Sequence, residues 1–138
     1  LQYAPHQGLH RFVCDLNRLY RSERALYQRD FSNDGFQWVD LHDWESSIVS
    51  YLRRGEDPAD CLLVACNFTP VVRHGYRVGV PCGGYWAEVL NSDAAVYGGS
   101  NVGNAGGAEA APLPAHGYHH SLTITLPPLG VVVFRAPR

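Results

Sequence analysis

The stretch Cys61-Leu62-Leu63-Val64-Ala65-Cys66-Asn67-Phe68 is apolar at almost every position. A strand with one wet face alternates, so a run this continuous predicts a central strand buried on both faces. Upstream, Ser47 to Arg53 alternates as Ile48, Ser50, Leu52 against Val49, Tyr51, Arg53, and Phe36-Gln37-Trp38-Val39 reads as a shorter strand. Downstream, Tyr76 to Val80, Tyr85 to Leu90, Ser121 to Leu126 and Val131 to Arg135 have the same character. These strands are separated by Gly, Pro, Asn and Asp clusters. The expected fold is therefore mainly β, an antiparallel β-sandwich of about seven strands. Between Gly98 and Pro114 the chain is rich in Gly and Ala without any period, which predicts a long surface loop.

Ahead of the strands the period changes. Leu9, Phe12, Val13, Leu16, Leu19 and Tyr20 form one apolar stripe at helical spacing, with Arg11, Asp15, Arg18 and Arg21 outside it. Ser22 reads as the N-cap of a second short helix through Gln28, before Asn33-Asp34-Gly35 signals a turn. One or two α-helices thus precede the sandwich, with residues 1–30 as a helical segment and residues 31–138 as the all-β domain. A lone amphipathic helix needs a surface to cover, and its stripe is expected to be only partly covered here, which leaves the chain open to self-association.

Composition narrows the function classes. The 138 residues have room for one continuous core, and 46% apolar with 17% charged residues is ordinary for a globular chain. A formal charge of −2 gives no electrostatic footprint for nucleic acid or anionic lipid, so neither is expected as a partner. No apolar run approaches the roughly 18 to 20 residues that span a bilayer. The chain starts at Leu1 without any Met and its first residues lack a signal-peptide pattern, so a fragment of a longer protein is expected. Cys14, Cys61, Cys66 and Cys82 form no CxxC pair, and free thiols in a reducing compartment are the expectation, with a disulfide from Cys82 to a neighbouring loop left open.

Longer blocks carry a family resemblance. They are Asn67-Phe68-Thr69-Pro70, Tyr76-Arg77-Val78-Gly79-Val80-Pro81, Trp86-Ala87-Glu88-Val89-Leu90-Asn91-Ser92-Asp93 and Tyr97-Gly98-Gly99-Ser100-Asn101-Val102-Gly103-Asn104. In this order they resemble the C-terminal β domain of the bacterial 1,4-α-glucan (glycogen) branching enzymes of the α-amylase superfamily. Pro5-His6-Gln7-Gly8-Leu9 and Asp15-Leu16-Asn17-Arg18-Leu19-Tyr20-Arg21 resemble the end of that family's catalytic barrel, and Ser121 to Leu129 its closing strands. The resemblance departs at Ala115, where members often carry an aromatic before His-Gly. It implies a parent enzyme that cleaves an α-1,4 glucan and transfers the segment to a glucose O6, forming an α-1,6 branch. It also implies a cytoplasmic setting, no cofactor, and as partners α-glucan and the catalytic barrel of the same polypeptide. This part of the parent would buttress the barrel; the alternative is an independent glucan-binding module.

No catalytic constellation is expected within the chain. Retaining glycosyl transfer needs two carboxylates about 5 to 5.5 Å apart. Asp40, Asp43, Glu56, Asp57 and Asp60 instead sit in polar turns, where carboxylates cap loops. His6 and His10 are one helical turn apart but two ligands are too few for zinc, and adjacent His119 and His120 point to opposite faces of any strand. The Gly98 to Asn104 run lacks the ending of a phosphate loop and no helix pattern follows it. No GxSxG elbow is present. The open feature is aromatic: rings suit the C–H faces of glucose, and Trp44, in the polar turn Asp43 to Ser47, together with Tyr97 and Tyr118 flanking the long loop, are the candidate glucan contacts.

Overall fold

The computed structural model describes residues 3–138. One helix, α1 (Ala4–Ser22), precedes eight strands: β1 (Phe36–Asp40), β2 (Ile48–Arg54), β3 (Cys61–Asn67), β4 (Arg73–Val80), β5 (Gly84–Asn91), β6 (Gly107–Ala110), β7 (His120–Leu126) and β8 (Gly130–Arg135). Six strands pair antiparallel in the order β1-β2-β3-β8-β5-β6, while β4 and β7 form a separate two-stranded ribbon. Residues 1 and 2 of the expected helical segment lie outside the described residues.

The apolar run at Cys61 sits at the centre, as its composition predicts, because β3 has a core on each side. Leu63 and Ala65 join Leu52, Trp86 and Phe134 under the ribbon residues Val78, Val80, Leu122, Ile124 and Leu126. Leu62 and Val64 face the other way with Val133 and Leu90, covered by Phe12 and Leu19 of α1. Strand β5 serves both sides. Trp86 lies in the ribbon-side core and Leu90 in the helix-side core, and the phase change is a bulge in which Glu88 pairs with Phe134 and Leu90 with Val133, leaving Val89 unpaired.

Helix α1 carries Pro5 in its first turn and Arg21 in its last, both at favourable ends. At 100° per residue its stripe is about 120° wide, wider than one contact can cover. The helix is turned so that Phe12 and Leu19 dip into the domain while Leu9, Val13, Leu16 and Tyr20 stay exposed. The expected second helix is only a 3₁₀ turn, Arg24–Leu26. Its reason is Glu23, which turns extended after α1 and places a buried carboxylate between Arg135 and Arg138, each at 3.1 Å. Ser22 is the last residue of α1, its hydroxyl donating to the Leu19 carbonyl.

The second correction is β6. The Gly98 to Pro114 stretch is not irregular throughout: Gly107–Ala110 pairs with β5 from Gly84 to Ala87, and Ala111 then bridges to Ser121, joining the sheet to the ribbon. Tertiary pairing overrides the poor strand propensity of Gly-Ala-Glu-Ala. All four cysteines are free thiols. No helix among the described residues is long and apolar enough to cross a membrane.

Asn67, buried at the end of β3, ties two loops together. Its amide donates to the carbonyls of Val71 at 2.9 Å and Pro127 at 3.0 Å, and its Oδ1 accepts from the Thr69 amide and hydroxyl at 3.0 and 2.7 Å. Asn67→Ala is expected to lower the unfolding free energy by about 2 to 4 kcal/mol, since it strands buried carbonyls as well as losing bonds. Urea unfolding should show this as a lower midpoint with an unchanged slope.

Candidate functional site

Trp44 occupies the turn between β1 and β2, closed by the Ser47 amide donating to the Trp44 carbonyl and the Ile48 amide donating to the Asp43 carbonyl, each at 3.3 Å. Its ring is 77% exposed. The same turn is held to the ribbon by the Tyr76 hydroxyl, which donates to Asp43 Oδ2 at 2.9 Å. Burial, then that hydrogen bond and the Asp43 charge, raise the Tyr76 phenol well above its ordinary value.

Tyr118 closes the next turn along this edge. Ala115 and Tyr118 exchange backbone bonds of 2.9 and 3.1 Å around His116 and Gly117, whose φ values are +52° and +82°. The Tyr118 ring packs against the ribbon-side core, and its buried hydroxyl has no protein partner among the described residues. His116 Nδ1 accepts from the Gly79 amide at 2.9 Å, which leaves the proton on Nε2, 3.3 Å from Asp40 Oδ2. Asp43 thus ties the Trp44 turn to the ribbon, while His116 ties the Tyr118 turn both to the ribbon at Gly79 and to Asp40 of β1.

Tyr97 lies on the opposite face of the six-stranded sheet, in the 3₁₀ turn Ala95–Tyr97. Its hydroxyl donates to Asp15 Oδ2 at 2.6 Å, and its ring meets Phe12 edge to face at 5.1 Å between centroids. Gly8 lets α1 approach here, since a Cβ at that position would strike the Tyr97 carbonyl. Burial, then the bond to Asp15 and its charge, push the Tyr97 phenol up to about 12. The structure therefore keeps Tyr97 and Tyr118 apart, with the sheet between them.

The polar side chains of the family-like blocks hold loops. Asp93 accepts from the Ser100 amide and hydroxyl at 3.0 and 2.6 Å and from the Val102 amide at 3.0 Å. Burial would raise its carboxyl, but those donors outweigh burial and hold it below the usual carboxylate range. Asn104 exchanges bonds of 3.0 and 2.8 Å with the Thr125 backbone and donates to Glu88 at 2.7 Å. Among the described residues no group of three or more His, Cys, Asp and Glu is placed to hold a metal ion.

Two surfaces escape a reading of single elements. Phe36 stacks on Tyr51 at 4.9 Å, and Trp38 meets both rings edge to face at 5.0 and 6.0 Å, forming a partly exposed aromatic cluster on the helix-side face. The signal is alternation, Phe36 and Trp38 on one face of β1, but Tyr51 joins them only through the β1–β2 register that pairs it with Trp38. The other surface is a groove of about 330 Å³ between α1 and the ends of β3 and β8, lined by Phe12, Cys66, Phe68, Leu129 and Val131.

Comparison with known proteins decides the membership. The family described as alpha amylase, C-terminal all-beta domain, matches residues 38–137. The chain belongs to that family. It is also similar along nearly its whole length to proteins named 1,4-alpha-glucan branching enzyme GlgB. It is 54% identical to that of Aquifex aeolicus over 98% of this chain and 21% of the relative. It is 56% identical to that of Aromatoleum aromaticum over 96% of this chain and 21% of the relative. With the Burkholderia thailandensis protein it shares 51% identity over 94% of this chain and 16% of the relative. The chain thus spans about a fifth of the length of these curated relatives. As a member of the amylase C-terminal family, it carries its invested polar chemistry in loop anchoring and in the seam with α1.

That seam is testable through Tyr97. Tyr97→Phe is expected to lower stability at neutral pH by about 1 kcal/mol, the worth of one hydrogen bond. Because the folded phenol titrates near 12, above its ordinary 10.0, its contribution is fully present below pH 10 and lost as pH rises through about 12. Urea unfolding of both proteins along that range should show the difference between them shrinking.

Proposed function

We propose that the chain is the C-terminal portion of a 1,4-alpha-glucan branching enzyme and acts there as a non-catalytic support. The parent would cleave an α-1,4 glucan and transfer the segment to a glucose O6 of a glycogen-like polymer in the cytoplasm, with no cofactor. Residues 1–30 would close the catalytic barrel of the same polypeptide, and residues 31–138 would form the β domain beside it. The observation that carries this reading is the near full-length match to proteins of that name at about half identity. The engagement of the carboxylates supports the supporting role: Asp15 with Tyr97, Glu23 with Arg135 and Arg138, Asp43 with Tyr76, Asp93 with Ser100. The isolated chain is expected to leave iodine staining of amylose unchanged while the intact polypeptide lowers it; staining lost with the isolated chain would overturn the assignment.

A second reading is favoured by the exposed rings. Trp44, and the cluster of Phe36, Trp38 and Tyr51, present flat apolar faces suited to glucose, so the domain would also hold glucan chains. Tyr97 and Tyr118 have their rings packed against α1 and the ribbon-side core, which favours Trp44 among the candidate contacts. Titration with maltooligosaccharide is expected to change tryptophan fluorescence, and Trp38→Ala or Trp44→Ala to weaken binding about tenfold. Unchanged fluorescence and amide shifts at saturating sugar would sink this reading.

A further inference from the structure

The segment between α1 and β1 folds back so that two guanidinium groups meet at the start of β1. A Cβ at Gly35 would strike the Arg29 carbonyl, so glycine lets the turn close onto Arg29. The Ser32 hydroxyl accepts from the Asp34 amide at 3.2 Å and caps that turn. Arg54, the last residue of β2, comes from the other side. Arg29, Asn33, Asp34, Phe36, Gln37 and Arg54 line a pocket of about 420 Å³. Arg54 is partly buried, its Nη2 donates to Gln37 Oε1 at 3.0 Å, and its buried Nε has no protein partner. Among the described residues no carboxylate pairs with it. Its register partner is Cys61, whose thiol burial pushes up to about 11, so that neighbour carries no counter-charge at neutral pH. Arg29 has Asp34, at 3.4 Å and with the carboxylate side chain 75% exposed. The pocket thus sets two guanidinium groups against one loosely held carboxylate. Gln37, its oxygen taken by Arg54, adds an NH₂ donor. This donor set suits an oxyanion.

Phe36 belongs at once to this pocket and to the ring cluster with Trp38 and Tyr51, so an anion held here lies beside flat apolar faces. We propose that the pocket holds the phosphate monoester of a phosphorylated glucose unit whose sugar ring lies on the Phe36–Trp38–Tyr51 cluster. The placement of the sugar rests on the glucan-holding reading given above, and the placement of the phosphate on the two arginines. A single monoester is favoured over a polyanion because the pocket has one positive charge in excess and the chain as a whole stands at −2. The phosphate takes the place of Asp34 on Arg29, exchanging a weak exposed pair for charge-assisted bonds from both guanidinium groups.

The test is titration calorimetry on the intact polypeptide with maltooligosaccharide, the same sugar phosphorylated at one O6, glucose 6-phosphate and AMP. The phosphorylated chain should bind about tenfold more tightly than the plain one, the worth of one charge-assisted contact. Arg54→Gln and Arg29→Gln should each erase that advantage and leave plain-sugar affinity unchanged. Asp34→Asn removes the competing carboxylate and should enlarge it. The changes at Arg29 and Asp34 touch surface groups and should leave the melting point in place even where Arg54→Gln lowers it. Equal affinity for plain and phosphorylated chains overturns the proposal, and so does an advantage that survives both arginine changes. AMP binding more tightly than either sugar phosphate, and lost in the same variants, would assign the pocket to a nucleotide and overturn it as well. Given an advantage that the arginine changes erase, glucose 6-phosphate matching the phosphorylated chain names the small sugar phosphate as the source, and weaker binding names the chain. Trp38→Ala separates the two readings. If it leaves plain-sugar affinity unchanged while the arginine variants still abolish the phosphate advantage, the glucan-holding reading fails and the phosphate site stands.

Discussion

Leu62 to Asn67 of β3 run antiparallel to Arg135 to Gly130 of β8, and this pairing places both strands in the middle of a sheet with apolar material on each side. A strand so placed cannot have a polar face, which is why Cys61 to Cys66 reads as an unbroken apolar run. It also sets what must surround it. One face needs the ribbon of β4 and β7, whose Val78, Val80, Leu122, Ile124 and Leu126 cover it. The other needs α1, without which Leu62, Val64 and Val133 would meet water. Burial of the helix seam is therefore a condition of the sheet's own stability, whatever else the helix touches.

Polar chemistry follows the same logic. The loops around a sheet with two covered faces have backbone groups to satisfy, and Asn67, Asp93 and Asn104 satisfy them from the ends of β3, β5 and the segment before β6. Arg53 does the same for the segment after α1, donating to the Gly35 and Leu26 carbonyls and pairing with Asp30. A carboxylate held by two or three donors is committed to its loop, as Asp93 is to the Ser100 and Val102 amides and the Ser100 hydroxyl.

The long-period features were legible in the sequence and the junctions were not. Alternation and the apolar run place seven strands because side-chain period reflects burial directly. Strand β6 escaped because Gly107-Ala108-Glu109-Ala110 owes its extended form to β5 alone, and a four-residue segment has too little pattern to announce a partner. The helix stripe gave its width but not its rotation: Phe12 and Leu19 face the sheet while Leu9 and Val13 do not, and only the position of the Ala95–Tyr97 turn decides between them. Ser22 looked like a start and is an end, since the buried pairing of Glu23 with Arg135 and Arg138 outweighs a local cap. Of the aromatic candidates, Trp44 could be read as a turn residue from its polar neighbours. Tyr97 could not be matched with Asp15, because contacts spanning most of the chain leave no local trace.

The bulge at Val89 makes β5 a strand written in two phases, one set for Trp86 and the other for Leu90. Substitution at Val89 alters a single partly buried side chain, and loss of that residue would close the bulge with Leu90 still opposite Val133, whereas loss of Ala87 would shift every earlier position of β5 by one and turn Trp86 away from the ribbon. The strand thus tolerates spelling changes far better than changes of length. Outside the bulge, gain or loss of residues along this stretch would be absorbed only in the turns on either side of it, where the pleat no longer keeps count.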